Sequence, residues 1–123
     1  MVTRKAIDRL SKELDLPKPD KFSQDWQYEV ADLNRLEEFV SFYLKNKLNK
    51  NEKFTLMNII LESANDCMQN ESLNCKTWKK IEEILTYDRE INIKILEYWA
   101  CEDDEIEDCF YITPLVRKIK EKL

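Results

Sequence analysis

The chain has 123 residues, a formal net charge of −5, and neither histidine nor glycine. The missing histidine excludes Ser-His and Cys-His catalytic pairs and imidazole metal ligands, and the missing glycine excludes glycine-rich phosphate loops. Most common enzyme mechanisms are therefore excluded. We expect a protein that is not an enzyme and that needs no cofactor.

The length predicts a single domain, residues 1–123, because a chain of this size can bury an ordinary core without disulfides or metal. No apolar run approaches the roughly 18 residues of a membrane span, and residues 1–16 lack the apolar centre of a signal peptide. We expect a cytoplasmic protein with no membrane partner. Its four cysteines should then be reduced thiols.

Helical spacing of apolar residues begins close to the start of the chain. Thr3 is a plausible N-cap for a first helix, which Pro17 and Pro19 should end. A short arm, residues 18–24, completes the N-terminal part, residues 1–24. The remainder, 25–123, should form the main helical body.

Five further helices are expected in that body. The second should begin after Asp32 and end at Asn46 and Asn49, which take the role that glycine usually fills. The third should run from about 52 to 68, with an apolar arc wide enough for a central position. The fourth should span about 74–86, and the fifth should be capped by Asp88. The last should begin at Thr113-Pro114, with the Thr113 hydroxyl as its N-cap and proline at the first helical position.

Six helices joined by short loops predict an all-α bundle packed as helical hairpins. Three segments, 26–30, 91–95 and 110–112, alternate apolar and polar residues with the period of a strand. The alternative is therefore an α+β fold with a small sheet. Against it, the chain lacks the glycine that favours tight hairpin turns.

The negative charge is concentrated between residues 82 and 108, which contain eleven acids and two bases, a local charge of −9. Concentrating like charge costs stability through self-repulsion. One explanation is a solvated surface with favourable acids near helix N-termini. The other is a surface that captures a basic partner, with aromatic neighbours supplying buried contacts.

For that second explanation, Trp99 and Phe110 are assigned to the core, whereas Tyr87 and Tyr111 are the better surface candidates. Direct nucleic-acid binding is disfavoured, because phosphate repels an acidic region. The residues expected to contact a partner are Asp88, Glu90, Glu97, Glu102, Asp103, Asp104, Glu105, Glu107, Asp108 and Tyr111.

The cysteines form two pairs with the same spacing, Cys67 with Cys75 and Cys101 with Cys109. Structural zinc sites separate neighbouring ligands by two to four residues, whereas eight helical residues rise about 12 Å. Buried free thiols are therefore expected, although loops near Asn70 and Asp104 leave room for a zinc site.

Two other chemistries would use the acids themselves. A calcium loop turns sharply at a glycine that this stretch lacks, and carboxylate-pair catalysis needs two acids in different environments. We expect no metal site and no catalytic residue. A metal-dependent enzyme that uses these acids and cysteines is the weakest alternative.

Three stretches carry a resemblance: "DWQYEVADLNRLEEFVSFY", "NEKFTLMNIILES" and "YWACEDDEIEDCFYITPLVRKI". They resemble small helical bacterial immunity proteins of polymorphic and contact-dependent toxin systems, over most of the chain after residue 24. The resemblance implies inhibition by binding, and it supplies no binding residues. The partner it implies is a cognate basic toxin domain, such as a nuclease, whose basic cleft an acidic surface could occupy or flank.

A second hypothesis belongs to a different class. The chain could be a helical adaptor or regulatory subunit that binds its partner through an apolar groove. The acids would then serve solubility alone, so their substitution would leave binding unchanged.

Overall fold

The computed structural model describes residues 1–19 and 25–123, and within these ranges the chain is all-α with no strand, as predicted. Two 3-10 turns, Leu33–Arg35 and Ile106–Asp108, accompany the helices. None of the helices in these ranges combines the length and apolarity needed to cross a bilayer. The helices are α1 (Arg4–Glu13), α2 (Trp26–Glu29), α3 (Leu36–Lys45), α4 (Lys50–Gln69), α5 (Cys75–Tyr87), α6 (Arg89–Ala100) and α7 (Thr113–Lys122).

The alternative with a small sheet is not observed in the described part of the chain. Residues 26–29 form the short helix α2 and Val30 follows in a turn, whereas residues 91–95 lie within α6. Residues 110–112 are a turn that leads into α7. The period-two pattern was a poor guide here because helical spacing also places several of these residues on a buried face.

The chain divides into two compact units, residues 1–63 and 64–123, with the division inside α4. The single domain expected from chain length stays a prediction. Of the arm predicted at 18–24, residues 20–24 lie outside the described part of the chain.

Unit 1 begins with the predicted cap, since the Thr3 hydroxyl accepts a hydrogen bond from the Ala6 N–H at 3.2 Å. Helix α1 ends at Glu13, earlier than the prolines, and Asp15 has the positive φ of 51° that glycine usually adopts. The Trp26 indole N–H donates to the Pro17 carbonyl at 2.6 Å. The buried apolar residues of unit 1 are Ala6, Leu10, Leu14, Leu16, Trp26, Val30, Leu36, Phe39, Val40, Tyr43, Leu48, Leu56, Met57, Ile59, Ile60 and Leu61.

A reciprocal capping box starts α4. The Glu52 N–H donates to Asn49 Oδ1 at 2.8 Å, and the Asn49 N–H donates to Glu52 Oε1 at 2.9 Å. Asn49 therefore begins α4 and does not help to end α3, contrary to expectation. Asn46 does end α3, where its side-chain amide donates to the Phe42 carbonyl at 3.0 Å. The same Glu52 oxygen accepts from Arg9 Nη1 at 2.7 Å, which ties α1 to α4 inside unit 1.

We expect Asn49→Ala to lower the free energy of unfolding by about 1 kcal/mol, because it removes the side-chain half of the capping box. Urea denaturation measures this change. Asn51→Ala is the matched control, since Asn51 is an exposed asparagine two positions further along α4. Equal effects of the two substitutions would show that the capping box contributes nothing.

In unit 2, helix α5 is capped by Asn74, whose Oδ1 accepts from the Lys76 and Thr77 N–H groups. The buried side chains of α6 include two polar groups without a hydrogen-bond partner in the described residues, the Asn92 amide and the Trp99 indole N–H. The buried apolar residues of unit 2 are Ala64, Cys67, Ile81, Ile84, Leu85, Ile95, Leu96, Trp99, Ala100, Ile112, Val116 and Ile119.

We expect Asn92→Leu to raise the free energy of unfolding by about 1 kcal/mol. The Asn92 amide is fully buried, so folding removes its hydrogen bonds to water. A leucine has a similar shape and no polar group to desolvate. Urea denaturation of both proteins measures the difference. A loss of stability would contradict the absence of a partner for Asn92.

Candidate functional site

The candidate site is the connection between α6 and α7. We call residues 102–108 the acidic loop: six of its seven residues are acidic, and every one of them is exposed. The one uncharged residue of the acidic loop is Ile106, whose exposed fraction is 45%. The chain turns out of α6 at Cys101, where φ is 51°, and passes through the 3-10 turn at 106–108.

Arg117 of α7 holds the first end of the acidic loop. Its guanidinium donates from Nε to the Ala100 carbonyl at 2.7 Å and from Nη2 to the Cys101 carbonyl at 2.6 Å. A third contact, from Nη2 to the Asp104 carbonyl, is 3.3 Å long. A cation that satisfies the last carbonyls of a helix also complements the negative end of the helix dipole.

Thr113 and Asn65 hold the other end. The buried Thr113 hydroxyl donates to the Trp99 carbonyl at 2.8 Å and accepts from the Phe110 N–H at 3.1 Å. The Ile112 N–H donates to Asn65 Oδ1 at 3.1 Å. Thr113 had been predicted as the N-cap of the last helix, but it lies within α7 and its hydroxyl makes these loop contacts instead.

Cys101 and Cys109 form a disulfide across the acidic loop, with a Cα–Cα distance of 5.9 Å. The prediction of four buried free thiols is therefore wrong for this pair. The helical rise of 12 Å does not apply, because α6 ends at Ala100 and the chain then reverses direction.

The other two cysteines form no disulfide and differ from each other in burial. Cys67 is buried as expected, and burial is the main cause that raises the pKa of its thiol. Burial also raises the pKa of the neighbouring Asp66 carboxyl. Cys75 is exposed at the start of α5, so its predicted burial is wrong. No three Cys, Asp or Glu side chains are grouped as metal ligands within 1–19 and 25–123.

The structure separates the predicted contact residues into two groups. Asp88 and Glu90 lie at the start of α6, about 18 Å along the helix axis from the acidic loop. Glu97, one turn before the end of α6, lies on the loop side. All ten predicted residues are exposed except Asp88, which is half-buried. Near the acidic loop are Glu97, Glu102, Asp103, Asp104, Glu105, Glu107, Asp108 and Tyr111.

Most of the loop acids are not neutralised by a neighbour. Glu102 pairs with Lys120 at 3.1 Å, and that contact is largely exposed. The other five acids have no ion pair with any residue that the structure describes. Their negative charge is therefore available to a partner in solution.

Three aromatic side chains that flank the acidic loop in the sequence contact one another. The Trp99 ring is fully buried, as predicted, and its centroid lies 4.4 Å from that of Phe110. Phe110 was expected in the core, but it is only half-buried. Tyr98 contacts both rings, at 5.4 and 5.2 Å, and is 52% exposed. Tyr111 and Tyr87 are exposed, as predicted.

Sequence patterns missed three contributors to the site: Arg117, Asn65 and Ile106. Arg117 belongs to a short basic segment, and nothing in that segment indicates that one of its cations bonds to carbonyls 13 to 17 residues earlier. Ile106 could have been found, since it is the single apolar residue among the loop acids.

A groove of about 450 Å³ runs along α6 from Arg89 to Glu97 and is also lined by Lys120 and Leu123. Ile93, Leu96 and Leu123 supply its apolar lining, while Glu90 and Glu97 are charged residues beside it. This groove is the feature of unit 2 that suits the adaptor hypothesis.

Comparison of the chain with known proteins gives no match to a family model, a curated protein or a solved structure.

We expect Thr113→Val to lower the free energy of unfolding by about 2 kcal/mol, because it leaves the Trp99 carbonyl and the Phe110 N–H without partners. Thr113→Ser keeps the hydroxyl and should lose less. Urea denaturation measures both changes. Thr86→Val is the control, since the Thr86 hydroxyl also donates to a carbonyl but is exposed. A loss no greater than that of the control would show that Thr113 does not hold the loop.

Proposed function

We propose that this protein is a cytoplasmic immunity protein that neutralises a cognate basic toxin domain by binding it through the acidic loop. The observation that carries the proposal is the exposed acidic loop, in which five acids have no ion pair with any described residue and both ends are held by buried or half-buried residues. The mechanism is inhibition by binding, and it uses no catalytic residue, metal or cofactor.

Electrostatics supports a basic partner. Clustered charge of one sign accelerates encounter with a partner of the opposite sign and disfavours partners of the same sign. The toxin class that best fits is one that acts on nucleic acid, since its substrate-binding cleft must attract phosphate. The acidic loop would compete for the same positive charges.

Exposed apolar and aromatic side chains at the acidic loop offer contact area that charge alone does not provide. Tyr111 and Ile106 are exposed at the loop, and Tyr98 is exposed beside it. Tyrosine is enriched among residues that dominate binding energy, because it buries a large area and still offers a hydroxyl. Holding both loop ends in place also reduces the conformational entropy lost on binding.

The groove on α6 supports a second candidate, the helical adaptor. In that case binding would depend on Ile93 and Leu96, and the acids would only solubilise the surface. The two candidates predict opposite responses to substitution. Charge reversal in the acidic loop tests the first, and Ile93→Asp tests the second.

We expect Asp103→Lys, Asp104→Lys and Glu107→Lys, combined in one variant, to slow association with the toxin at least about tenfold at low salt. The partner is captured from the native host with the tagged chain, expressed separately, and assayed for growth arrest. Association rates at low and high salt then measure the electrostatic part of binding. The wild-type chain should relieve growth arrest, and the charge-reversed variant should relieve it less.

A matched control carries the same change in net charge at three exposed positions outside the acidic loop: Glu29→Lys, Glu83→Lys and Glu121→Lys. This control should associate faster than the loop variant. Equal rates for the two variants would show that only net charge matters. Unchanged binding by the loop variant together with loss in Ile93→Asp would favour the adaptor.

A further inference from the structure

We infer that Cys101 and Cys109 are a reversible thiol–disulfide pair that closes the acidic loop, with Cys109 as the attacking thiol. Their Cα–Cα distance of 5.9 Å lies within the range that a disulfide bridges. Both cysteines are half-buried, so neither belongs to the fully buried core. The consequence for partner binding rests on the proposed function, whereas the chemistry of the pair does not.

Charge around the two sulfur atoms distinguishes their roles. Arg117 Nη2 lies 3.7 Å from Cys109 Sγ, and a neighbouring guanidinium stabilises a thiolate. Asp104 Oδ2 lies 3.7 Å from Cys101 Sγ, and a neighbouring carboxylate disfavours a thiolate. Cys109 is therefore the better nucleophile, and Cys101 is the thiol that completes the bond.

The backbone at Cys101 is a second, independent observation. Its φ of 51° is a left-handed conformation that asparagine and aspartate tolerate better than most residues. The other two left-handed positions of the described chain are Asp15 and Glu71. A cysteine at the end of α6 suits a position where the sulfur itself is needed, since its side chain offers the turn no other advantage.

The reaction is an exchange with a small-molecule disulfide of the glutathione type. The Cys109 thiolate attacks one sulfur of that molecule and forms a mixed disulfide, while the S–S bond breaks and one thiolate leaves and then takes a proton from water. The Cys101 thiolate then attacks Cys109 Sγ and releases the second thiol. The protein loses two protons and two electrons, and the small disulfide gains both. Reduction by excess thiol runs through the same steps in reverse.

Closure changes the acidic loop because its acids repel one another. In the disulfide form, a covalent bond joins its ends and limits how far the acids can separate. In the dithiol form that covalent bond is absent, and the hydrogen bonds of Arg117, Thr113 and Asn65 hold the ends. Disulfides in reducing compartments are commonly transient and redox-sensing, so a cytoplasmic location suits a pair of this kind. Oxidation would then favour the loop conformation that binds the partner.

The test uses the full chain with Cys75→Ser, which removes the exposed thiol that could link two copies. The protein is equilibrated over a range of reduced-to-oxidised glutathione ratios, quenched with acid, alkylated and analysed by peptide mass spectrometry. We expect Cys101 and Cys109 to oxidise together in one two-electron transition while Cys67 stays a reduced thiol. A stable glutathione adduct on Cys109, or independent oxidation of the two cysteines, would overturn the inference.

Arg117 is tested as a positioning residue by the rate of closure with oxidised glutathione. Arg117→Gln should slow closure roughly tenfold, because it removes the cation that favours the thiolate. Arg117→Lys keeps the charge while losing the forked hydrogen bonds, so it should restore most of the rate. Lys118→Gln is the control, with the same charge change at an exposed neighbour. Equal rates for Arg117→Gln and Lys118→Gln would overturn the role of Arg117.

Loop conformation is measured separately, without any partner, by a protease that cleaves after glutamate. Cleavage after Glu102, Glu105 and Glu107 should be at least about tenfold slower in the disulfide form than in the dithiol form. Equal cleavage rates in the two forms would show that the disulfide does not change the conformation of the acidic loop. That result would not depend on whether the proposed function is correct. Conversely, if charge reversal in the acidic loop left partner binding unchanged, the proposed function would be wrong. The redox results would still stand.

Discussion

Repulsion among six carboxylates in seven residues is the constraint on which the site depends, because it opposes any compact loop conformation. Contacts at the two ends of the acidic loop oppose that repulsion. Arg117 places a positive charge against the carbonyls that end α6, and Thr113 joins the backbone at Trp99 to that at Phe110. The guanidinium thus offsets both the local negative charge and the negative end of the helix.

Unit 2 offers two surfaces of different character on the same helix, α6. Its C-terminal end leads into the acidic loop, where exposed charge lies beside Tyr98 and Tyr111. Its earlier turns line the shallow groove with Ile93 and Leu96. The two surfaces favour different kinds of partner, since the first attracts positive charge at a distance and the second contributes only on contact. This difference allows experiments to distinguish the immunity-protein proposal from the adaptor proposal.

The helices could be predicted because apolar spacing and capping side chains are local signals. Thr3, Asp32 and Asn74 all cap the turns or helices that follow them. The errors came where one residue type serves two purposes. Asn49 was expected to end a helix, but asparagine also caps helix N-termini, and Glu52 three residues later completes a capping box. For the site, the sequence located the charge and exposure of the acidic loop, but not the side chains that hold it.

The sequence by itself determined the all-α class, the exclusion of histidine-dependent catalysis and glycine-rich phosphate loops, and the concentration of negative charge. These properties follow from composition and short-range periodicity. Only the tertiary structure decided that Cys101 meets Cys109, that Arg117 closes the end of α6, and that Asp88 and Glu90 lie away from the acidic loop. These outcomes depend on the chain reversal between α6 and α7. That reversal brings side chains separated along the sequence to within hydrogen-bonding distance, and no local pattern encodes which of them will meet.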